Sequence, residues 1–422
     1  MVSIIILSLF WLLPLEANGL LRTPVQDPLV TDANYYDYAA MEMAKNGFSN
    51  SIDLLFSTWL SFGVIAYLYG IYMILGKSIF YVVLTNVILI LWAALLLRAT
   101  VKKLYYSDEK DIGHNRIAFI MLLPYGIYYD ASPSKESLTI FTICLFLYFL
   151  ANLIKQPNVK FKSYSGLKLL IAFVLVMFVR PNLAVLILIP TIIILWKYIN
   201  KFNLMLSAVL ITFLLYSFLE FSVGFSSFYD AFTDFEKISE VRNSSIELIT
   251  NNQGVKSAIA NYFAPDTTIK TLLGAPIRFL IWLLLPFPFI IPDWEAIFNM
   301  PNLLLSDWNA YFRLPEYVLR LMSTWLILFL LPVFTKTLFR FYRGLLPNTA
   351  LRLLLVFFVV LTLALSTYNF INGGRYRVVV EPLYFTICVI GSEKNKIINS
   401  RYIIFYISVL LIVLVSYLLK SI

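Results

Sequence analysis

The stretch IFYVVLTNVILILWAALLL, at residues 79–97, carries no charged side chain. An α-helix of about 20 mainly apolar residues crosses the hydrocarbon core of a bilayer, so this stretch predicts a transmembrane helix. The whole chain is 60% hydrophobic, with a mean hydropathy of +0.81 and 14% charged residues. Soluble domains contain only about 45–50% apolar residues. The composition therefore predicts an integral membrane protein.

Apolar runs similar to this one recur along the chain and predict an all-α polytopic bundle. In lipid only helices and closed barrels satisfy their backbone polar groups, and these runs lack the alternating pattern of barrel strands. The runs lie at residues 2–15, 54–75, 79–97, 117–129, 138–154, 167–179, 183–199, 202–221, 272–292, 316–335, 351–368, 378–391 and 401–419. We predict a single transmembrane domain over residues 1–422 with no separate soluble domain.

Lys and Arg are concentrated in short segments between the apolar runs. These basic clusters lie within residues 98–116, 155–168, 197–201, 336–352 and 394–401. Short loops rich in Lys and Arg stay on the cytoplasmic side. This placement accounts for the net charge of +9 without nucleic acid, since no basic patch with interleaved aromatic residues is present.

Two apolar runs do not fit as simple crossings, because a single crossing at either one would move the basic clusters that follow it out of the cytoplasm. These runs are 54–75 and 272–292, and the second contains four prolines, which disfavour a regular helix. We interpret both as interfacial or re-entrant, which leaves about eleven transmembrane helices, or up to about thirteen if both runs are counted. The outer, periplasmic face then receives a first loop at 16–53 with a juxtamembrane helix and a large segment at 224–315.

The first outer loop contains the stretch TDANYYDYAAMEMAKNG at residues 31–47. Tyr36, Ala40 and Met43 recur at helical spacing, which predicts a helix over residues 34–46. We expect the face carrying these three side chains to lie on the membrane or on the bundle.

Three acidic residues lie on this helix or just before it, namely Asp32, Asp37 and Glu42. We expect Asp37 and the Asp32 end of the helix to face water. Asp32 either caps the helix or supplies a carboxylate for general-base chemistry, and the spacing favours neither role.

The stretch NFINGGRYRVVVEPL, at residues 369–383, opens a late apolar helix with Arg375 and Arg377. Guanidinium forks match phosphate oxygens. Glu381 lies within the apolar run, where ionisable residues are costly and commonly functional. The alternative is interfacial anchoring, with Glu381 paired to Arg377 four residues earlier.

Further candidates border other crossings. Arg180 precedes Pro181 at the end of an apolar run, where it is either a second phosphate clamp or an interfacial anchor. Asp130 and Lys135 lie in a short outer segment, and Lys135 suits an anionic head group. Trp308, in an aromatic-rich outer segment, either anchors the interface or stacks on a sugar ring.

Two of these motifs resemble those of the GT-C fold glycosyltransferases, in particular the branch of protein O-mannosyltransferases and lipid A aminoarabinose transferases. Residues 32–47, DANYYDYAAMEMAKNG, are similar to the Asp-Glu-x-x-Tyr-x-x-x-Ala helix that follows the first crossing in that family. Residues 375–382, RYRVVVEP, are similar to its closing Arg-Tyr-x-x-Pro element near the lipid phosphate. The chain departs from the family at Ala33, where an acid often follows the leading Asp.

The resemblance implies a GT-C-like bundle and a role for each candidate residue. Asp32 would be the catalytic base, with Asp37 or Asp130 as helpers. The donor phosphate would be held by Arg375, Arg377, Arg180 and Lys135. The substrate would be contacted by Tyr35, Tyr36, Glu42, Glu381 and Trp308.

The expected function is transfer of a sugar from a polyprenyl-phosphate donor to a cell-envelope glycan or lipopolysaccharide. The site would face the periplasm from a bacterial inner membrane. The sequence requires no cofactor and gives no support for a divalent cation or another metal site. An O-antigen-type polymerase that uses polyprenyl-diphosphate oligosaccharides is the nearest alternative. A transporter or lipid flippase is the second.

Overall fold

The computed structural model describes residues 32–48, 62–104, 114–130, 134–155, 164–196, 279, 308–344, 349–368 and 373–393. Within these ranges the regular structure is entirely helical. The helices are α1 (Asp32–Asn46), α2 (Phe62–Ile74), α3 (Ile79–Leu104), α4 (Pro124–Asp130), α5 (Glu136–Ile154), α6 (Tyr164–Val179), α7 (Pro181–Leu195), α8 (Trp308–Tyr342), α9 (Thr349–Tyr368) and α10 (Gly373–Glu393). A 3-10 helix, His114–Leu122, precedes α4. The predicted all-α class is confirmed for this part of the chain.

Four helices of the described ranges are long and apolar enough to cross a membrane. They are α3, α5, residues Met322–Tyr342 of α8 and residues Thr349–Ser366 of α9. Helices α2, α6 and α7 are apolar but shorter. These lengths are consistent with a helical membrane protein, whereas the total of about eleven crossings stays a prediction.

Several predicted segments fall outside the described residues. These are the runs 2–15, 202–221 and 401–419, and most of the segment 224–315. The run 272–292 is described only at residue 279, and the run 54–75 only from residue 62 onward. Helix α2 has 13 residues and rises about 20 Å, which is shorter than the hydrocarbon core of about 30 Å.

Helix α8 differs from the predicted boundary between an outer segment ending at 315 and a crossing at 316–335. The helix begins at Trp308 and continues without a break to Tyr342, over 35 residues. Such a helix is about 50 Å long and exceeds the bilayer core of about 30 Å. The helix therefore extends beyond the apolar run at both ends, because hydropathy marks only the apolar part of a helix and misses the polar turns that continue it; the outer position of the segment up to 315 stays a prediction.

The long helices pack side by side around one apolar core. Helices α3 and α5 run in the same direction, with the Lys103 ammonium donating to Asn152 near their carboxyl ends. Helix α6 returns antiparallel to α5, and the Phe146 and Phe173 rings meet between them at 6.4 Å. Helices α8 and α10 run in parallel, and the Tyr384 hydroxyl of α10 donates to a backbone carbonyl of α8 at 2.9 Å.

The outer surface of the bundle carries large apolar side chains. Trp92, Ile193 and Phe329 are each more than half exposed, at 58%, 52% and 59%. Exposed apolar side chains on neighbouring helices are costly in water and suit contact with lipid chains. The surface therefore agrees with the membrane class that the composition predicts.

The two ends of the bundle differ in charge. One end, called here the basic end, contains the carboxyl ends of α3, α5, α8 and α10 and the amino ends of α6 and α9. The described basic residues there include Lys102, Lys103, Lys155, Lys168, Arg340, Arg343 and Arg352. The other end, called the polar end, contains buried acidic and basic side chains, four of which form two separate ion pairs. Its residues are Asp37, Asp130, Glu136, Arg180, Arg377 and Glu381.

Helices α1 and α2 form a small apolar cluster at the polar end. Tyr36, Ala40 and Met43 of α1 are buried in it, as their helical spacing predicted. Helix α1 ends at Asn46 because Gly47 adopts a φ of +84°, with its N–H bonded to the Met43 carbonyl at 3.0 Å. The cluster also includes Val82 and Val179 at the ends of α3 and α6, so it attaches α1 and α2 to the bundle.

The prediction that Asp37 faces water is wrong. Asp37 is only 1% exposed, and the Tyr72 hydroxyl of α2 donates a hydrogen bond to its carboxylate. Asp37 follows Tyr36 and lies at the edge of the apolar face of α1. Helix α2 packs over α1 and covers Asp37 as well as the stripe of apolar residues beside it. Tyr72 of α2 supplies the hydrogen-bond donor that a buried carboxylate requires.

Gly63 allows α2 to cross α6 closely, and its replacement tests this packing. A Cβ at Gly63 would lie 2.6 Å from the backbone oxygen of Phe178. We expect Gly63→Ala to lower the free energy of unfolding by about 1–3 kcal/mol, because a backbone atom cannot move aside cheaply. Thermal unfolding in detergent measures the effect. Gly70→Ala is the control, since no atom lies within 4 Å of its Cβ position; equal stability of the two variants would contradict the crossing.

Candidate functional site

Helix α1 brings two predicted substrate residues to the polar end. The Lys135 ammonium donates a hydrogen bond of 2.9 Å to the Tyr36 hydroxyl and lies 5.4 Å from the centre of the Tyr36 ring. Tyr35 is half-buried and meets Tyr36 edge to face at 6.4 Å. Asp32 is the first residue of α1, and its side chain lies outside the described part of the structure. The choice between capping and catalysis at Asp32 therefore stays open.

Asp130 ends α4, one residue beyond the run 117–129, and is buried. The Ser137 hydroxyl donates to its carboxylate at 2.6 Å, and the Asn86 amide donates to its backbone oxygen at 3.2 Å. Burial raises the pKa of the Asp130 carboxyl to about 7, and the hydrogen bond from Ser137 opposes this shift. A carboxyl with such a pKa exchanges its proton near neutral pH, which suits acid–base chemistry.

Arg180 and Glu136 form a buried ion pair. The Arg180 Nη2 atom lies 2.5 Å from Glu136 Oε1, and their side chains are 6% and 0% exposed. Arg180 immediately precedes Pro181, the first residue of α7, while Glu136 is the first residue of α5. The Arg180 guanidinium is therefore turned into the protein and paired there. The choice between phosphate clamp and interfacial anchor stays a prediction.

Arg377 and Glu381 form a second buried ion pair, on one face of α10. Arg377 Nε lies 2.8 Å from Glu381 Oε1, and the side chains are 0% and 3% exposed. The i,i+4 pairing considered from the sequence is confirmed. Helix α8 completes the cluster, because Ser323 donates to Glu381 at 2.6 Å and Arg377 donates to the Thr324 hydroxyl at 3.1 Å.

A small cavity joins Asp130 to Glu381. The other residues that line it have no polar side chain. The lining consists of Ile90, Ile120, Leu123, Gly126, Asp130, Ile140, Val378, Glu381 and Pro382. The second carboxylate oxygen of Glu381 is buried and has no hydrogen-bond partner in the structure as described. Two predicted site residues that lie far apart in sequence therefore border the same space.

Other predicted site residues are not part of this buried network. Glu42 is partly exposed and pairs with Lys45 at 2.8 Å on the same helix. That hydrogen bond holds the pKa of Glu42 below its usual value. The side chains of Arg375 and Trp308 lie outside the described part, although both residues belong to helices, α10 and α8.

Sequence reasoning missed the partners that hold these groups in place. Nothing in the local sequence of Glu136 indicates Arg180 as its partner. Ser323 and Thr324 lie in an apolar stretch and give no separate signal. In the described ranges no three His, Cys, Asp or Glu side chains gather as metal ligands; Cys144 and Cys388 are buried free thiols.

A scan against protein-family models matches none, and neither the curated proteins nor the solved structures searched contain a match to this chain.

Proposed function

We propose that this protein is a membrane glycosyltransferase that moves a sugar from a polyprenyl-phosphate donor to a cell-envelope glycan or lipopolysaccharide. The observation that carries the proposal is the set of buried ionisable side chains at the polar end, where two arginines each pair with a carboxylate inside a mainly apolar bundle. Ionisable side chains buried in a membrane protein are costly, so they are retained mainly for function.

The proposed step forms one bond and breaks another. A hydroxyl oxygen of the acceptor attacks the anomeric carbon of the donor sugar, and the bond from that carbon to the phosphate oxygen breaks. The phosphate leaves with the electron pair, and a carboxylate removes the acceptor proton. The family resemblance gives this base role to Asp32. A nearby carboxylate also stabilises the oxocarbenium-like transition state.

The arginines would neutralise the departing phosphate. Arg377 and Arg180 are each held in one orientation by a carboxylate, so little reorganisation would be needed when a phosphate binds. The phosphate would compete with Glu381 for the guanidinium of Arg377. The cavity beside Glu381 and Asp130 has a volume of about 10 Å³, which is room for about one water molecule between the two carboxylates.

We assign the polar end to the periplasm and the basic end to the cytoplasm of an inner membrane. The support is the concentration of lysines and arginines at the basic end, in short loops that the positive-inside rule keeps in the cytoplasm. The donor would then be used on the outer face of the membrane, where its lipid chain anchors it.

A transporter or lipid flippase is the second candidate. The Arg377–Glu381 pair favours it, because both side chains lie within a helix of the bundle and not in a surface loop. Transporters place ionisable residues in this way along substrate pathways. Such a protein would move a lipid-linked sugar across a vesicle membrane without forming a new glycosidic bond.

Mass spectrometry of the envelope glycan in a strain that lacks this protein tests the proposal. We expect the loss of one sugar from the glycan, restored by the intact gene but not by a variant carrying Asp32→Asn. Collapse of the glycan to single repeat units would indicate a polymerase. An unchanged glycan would contradict both enzymatic functions.

A further inference from the structure

A second cavity lies at the basic end of the bundle, at the opposite end from the Arg377–Glu381 pair. It opens between α3, α5 and α6. Its lining consists of Lys103, Tyr148, Phe149, Asn152, Lys155, Ser165 and Lys168. The cavity is therefore separate from the groups to which the proposed sugar transfer is assigned.

The described residues that line this cavity carry only positive charge. Three of them are lysines and none is acidic. Lys103 and Lys168 are half-buried, and Lys155 is exposed. No carboxylate of the described residues forms a salt bridge with any of the three. Like charges that are partly removed from water repel one another, so an anion bound between them would stabilise the arrangement.

The neighbouring side chains orient two of the lysines. The Lys103 ammonium donates to the Asn152 side chain and lies 5.6 Å from the centre of the Tyr148 ring. The Lys168 ammonium lies 4.1 Å from the Tyr164 ring and 6.0 Å from the Phe149 ring. Each ammonium carries three donors, so both lysines retain donors for a ligand after these contacts.

We propose that this cavity binds an anionic phosphate group at the basic end of the bundle. Lysine ammonium groups bind phosphate as point charges, and basic pockets between transmembrane helices hold phospholipid head groups. The exposed apolar residues Leu167 and Ile171 of α6 continue from the cavity along the bundle and suit the acyl chains of such a lipid. The shared chemistry also fits a soluble phosphate compound, so the test separates the two sources.

The test measures lipid binding to the purified full chain by titration in native mass spectrometry. The probes are phosphatidylglycerol, which is anionic, and phosphatidylcholine, which carries no net charge. We expect the unmodified chain to prefer phosphatidylglycerol, and the double variant Lys103→Gln/Lys168→Gln to bind it about 30-fold more weakly. That change corresponds to about 2 kcal/mol, or about 1 kcal/mol for each lysine.

A matched control removes two charges from the same end but outside the cavity. Lys102 and Arg352 are both exposed, and Lys102→Gln/Arg352→Gln should weaken phosphatidylglycerol binding less than threefold. The variant Lys103→Arg/Lys168→Arg keeps both charges and should retain most of the affinity. If all variants unfold at the same temperature, misfolding does not explain the loss of phosphatidylglycerol binding.

Inorganic pyrophosphate is the second arm of the test. Binding of pyrophosphate that depends on Lys103 and Lys168, without a preference for phosphatidylglycerol, would support the site and identify a soluble phosphate as its ligand. The proposal is overturned if the unmodified chain binds neither probe selectively. It is also overturned if the cavity variant and the control lose the same affinity. Neither result depends on sugar transfer, so the proposed function stands or falls separately.

Discussion

Replacing Arg377 by methionine should lower the free energy of unfolding by about 3–5 kcal/mol, because it leaves Glu381 buried without its cation. Both side chains are almost completely buried, and Glu381 also accepts a hydrogen bond from Ser323. Thermal or denaturant unfolding in detergent micelles measures this loss. Of the ion pairs among the described residues, this is the only buried one formed within a single helix. The expected effect is large because both of its charges are shielded from water.

Two further variants separate the ion pair from the general effect of removing a charge. Arg352→Met removes an exposed arginine of α9 and should cost less than about 1 kcal/mol. Arg377→Met combined with Glu381→Leu removes both charges, and it should recover much of the lost stability because no buried charge is left uncompensated. If Arg377→Met were no less stable than Arg352→Met, the buried pair would not be contributing as described.

The sequence was sufficient for features that depend on local spacing. Apolar periodicity predicted α1 and its buried face, since residues three and four apart share a side of a helix. The same spacing identified the pair Arg377 and Glu381. The hydropathy of the runs predicted the all-α class, because a helix in lipid requires a continuous apolar stretch.

The sequence could not reveal contacts between distant segments. Arg180 and Glu136 lie 44 residues apart, and their pairing depends on the antiparallel return of α6 beside α5. Asp130 and Glu381 border one cavity only because the 3-10 helix that leads into α4 packs against α10. Asp37 was misjudged for the same reason, since the helix that covers it supplies a partner from a separate segment. Local patterns carry no information about which helices become neighbours.

Asp32→Asn should lower the rate of sugar transfer at least about 100-fold, the range expected when a general base is lost. Asparagine caps a helix as well as aspartate does, so this substitution preserves a capping role and removes only the proton acceptor. We therefore expect α1 to form normally in the variant and the donor lipid to bind with unchanged affinity. Circular dichroism and a donor-binding titration check these two points.

Glu393→Gln is the matched control for this substitution. It also removes one carboxylate, but at the last residue of α10 and therefore at the basic end of the bundle. We expect it to transfer sugar at the rate of the unmodified chain. Equal losses in the two variants would mean that the effect of Asp32→Asn is not specific to the polar end.

The most direct measurement uses the purified full chain in lipid vesicles that contain polyprenyl-phosphate-linked sugars labelled in the sugar. A panel of such donors is presented together with an envelope glycan acceptor, and the label that becomes covalently attached to the acceptor is counted. The proposed function predicts transfer by the unmodified chain and by Glu393→Gln, with almost none by Asp32→Asn. Transfer by Asp32→Asn at the full rate would remove Asp32 from the mechanism. Movement of the labelled lipid across the membrane, without a covalent product from any donor, would contradict the enzyme and favour a flippase.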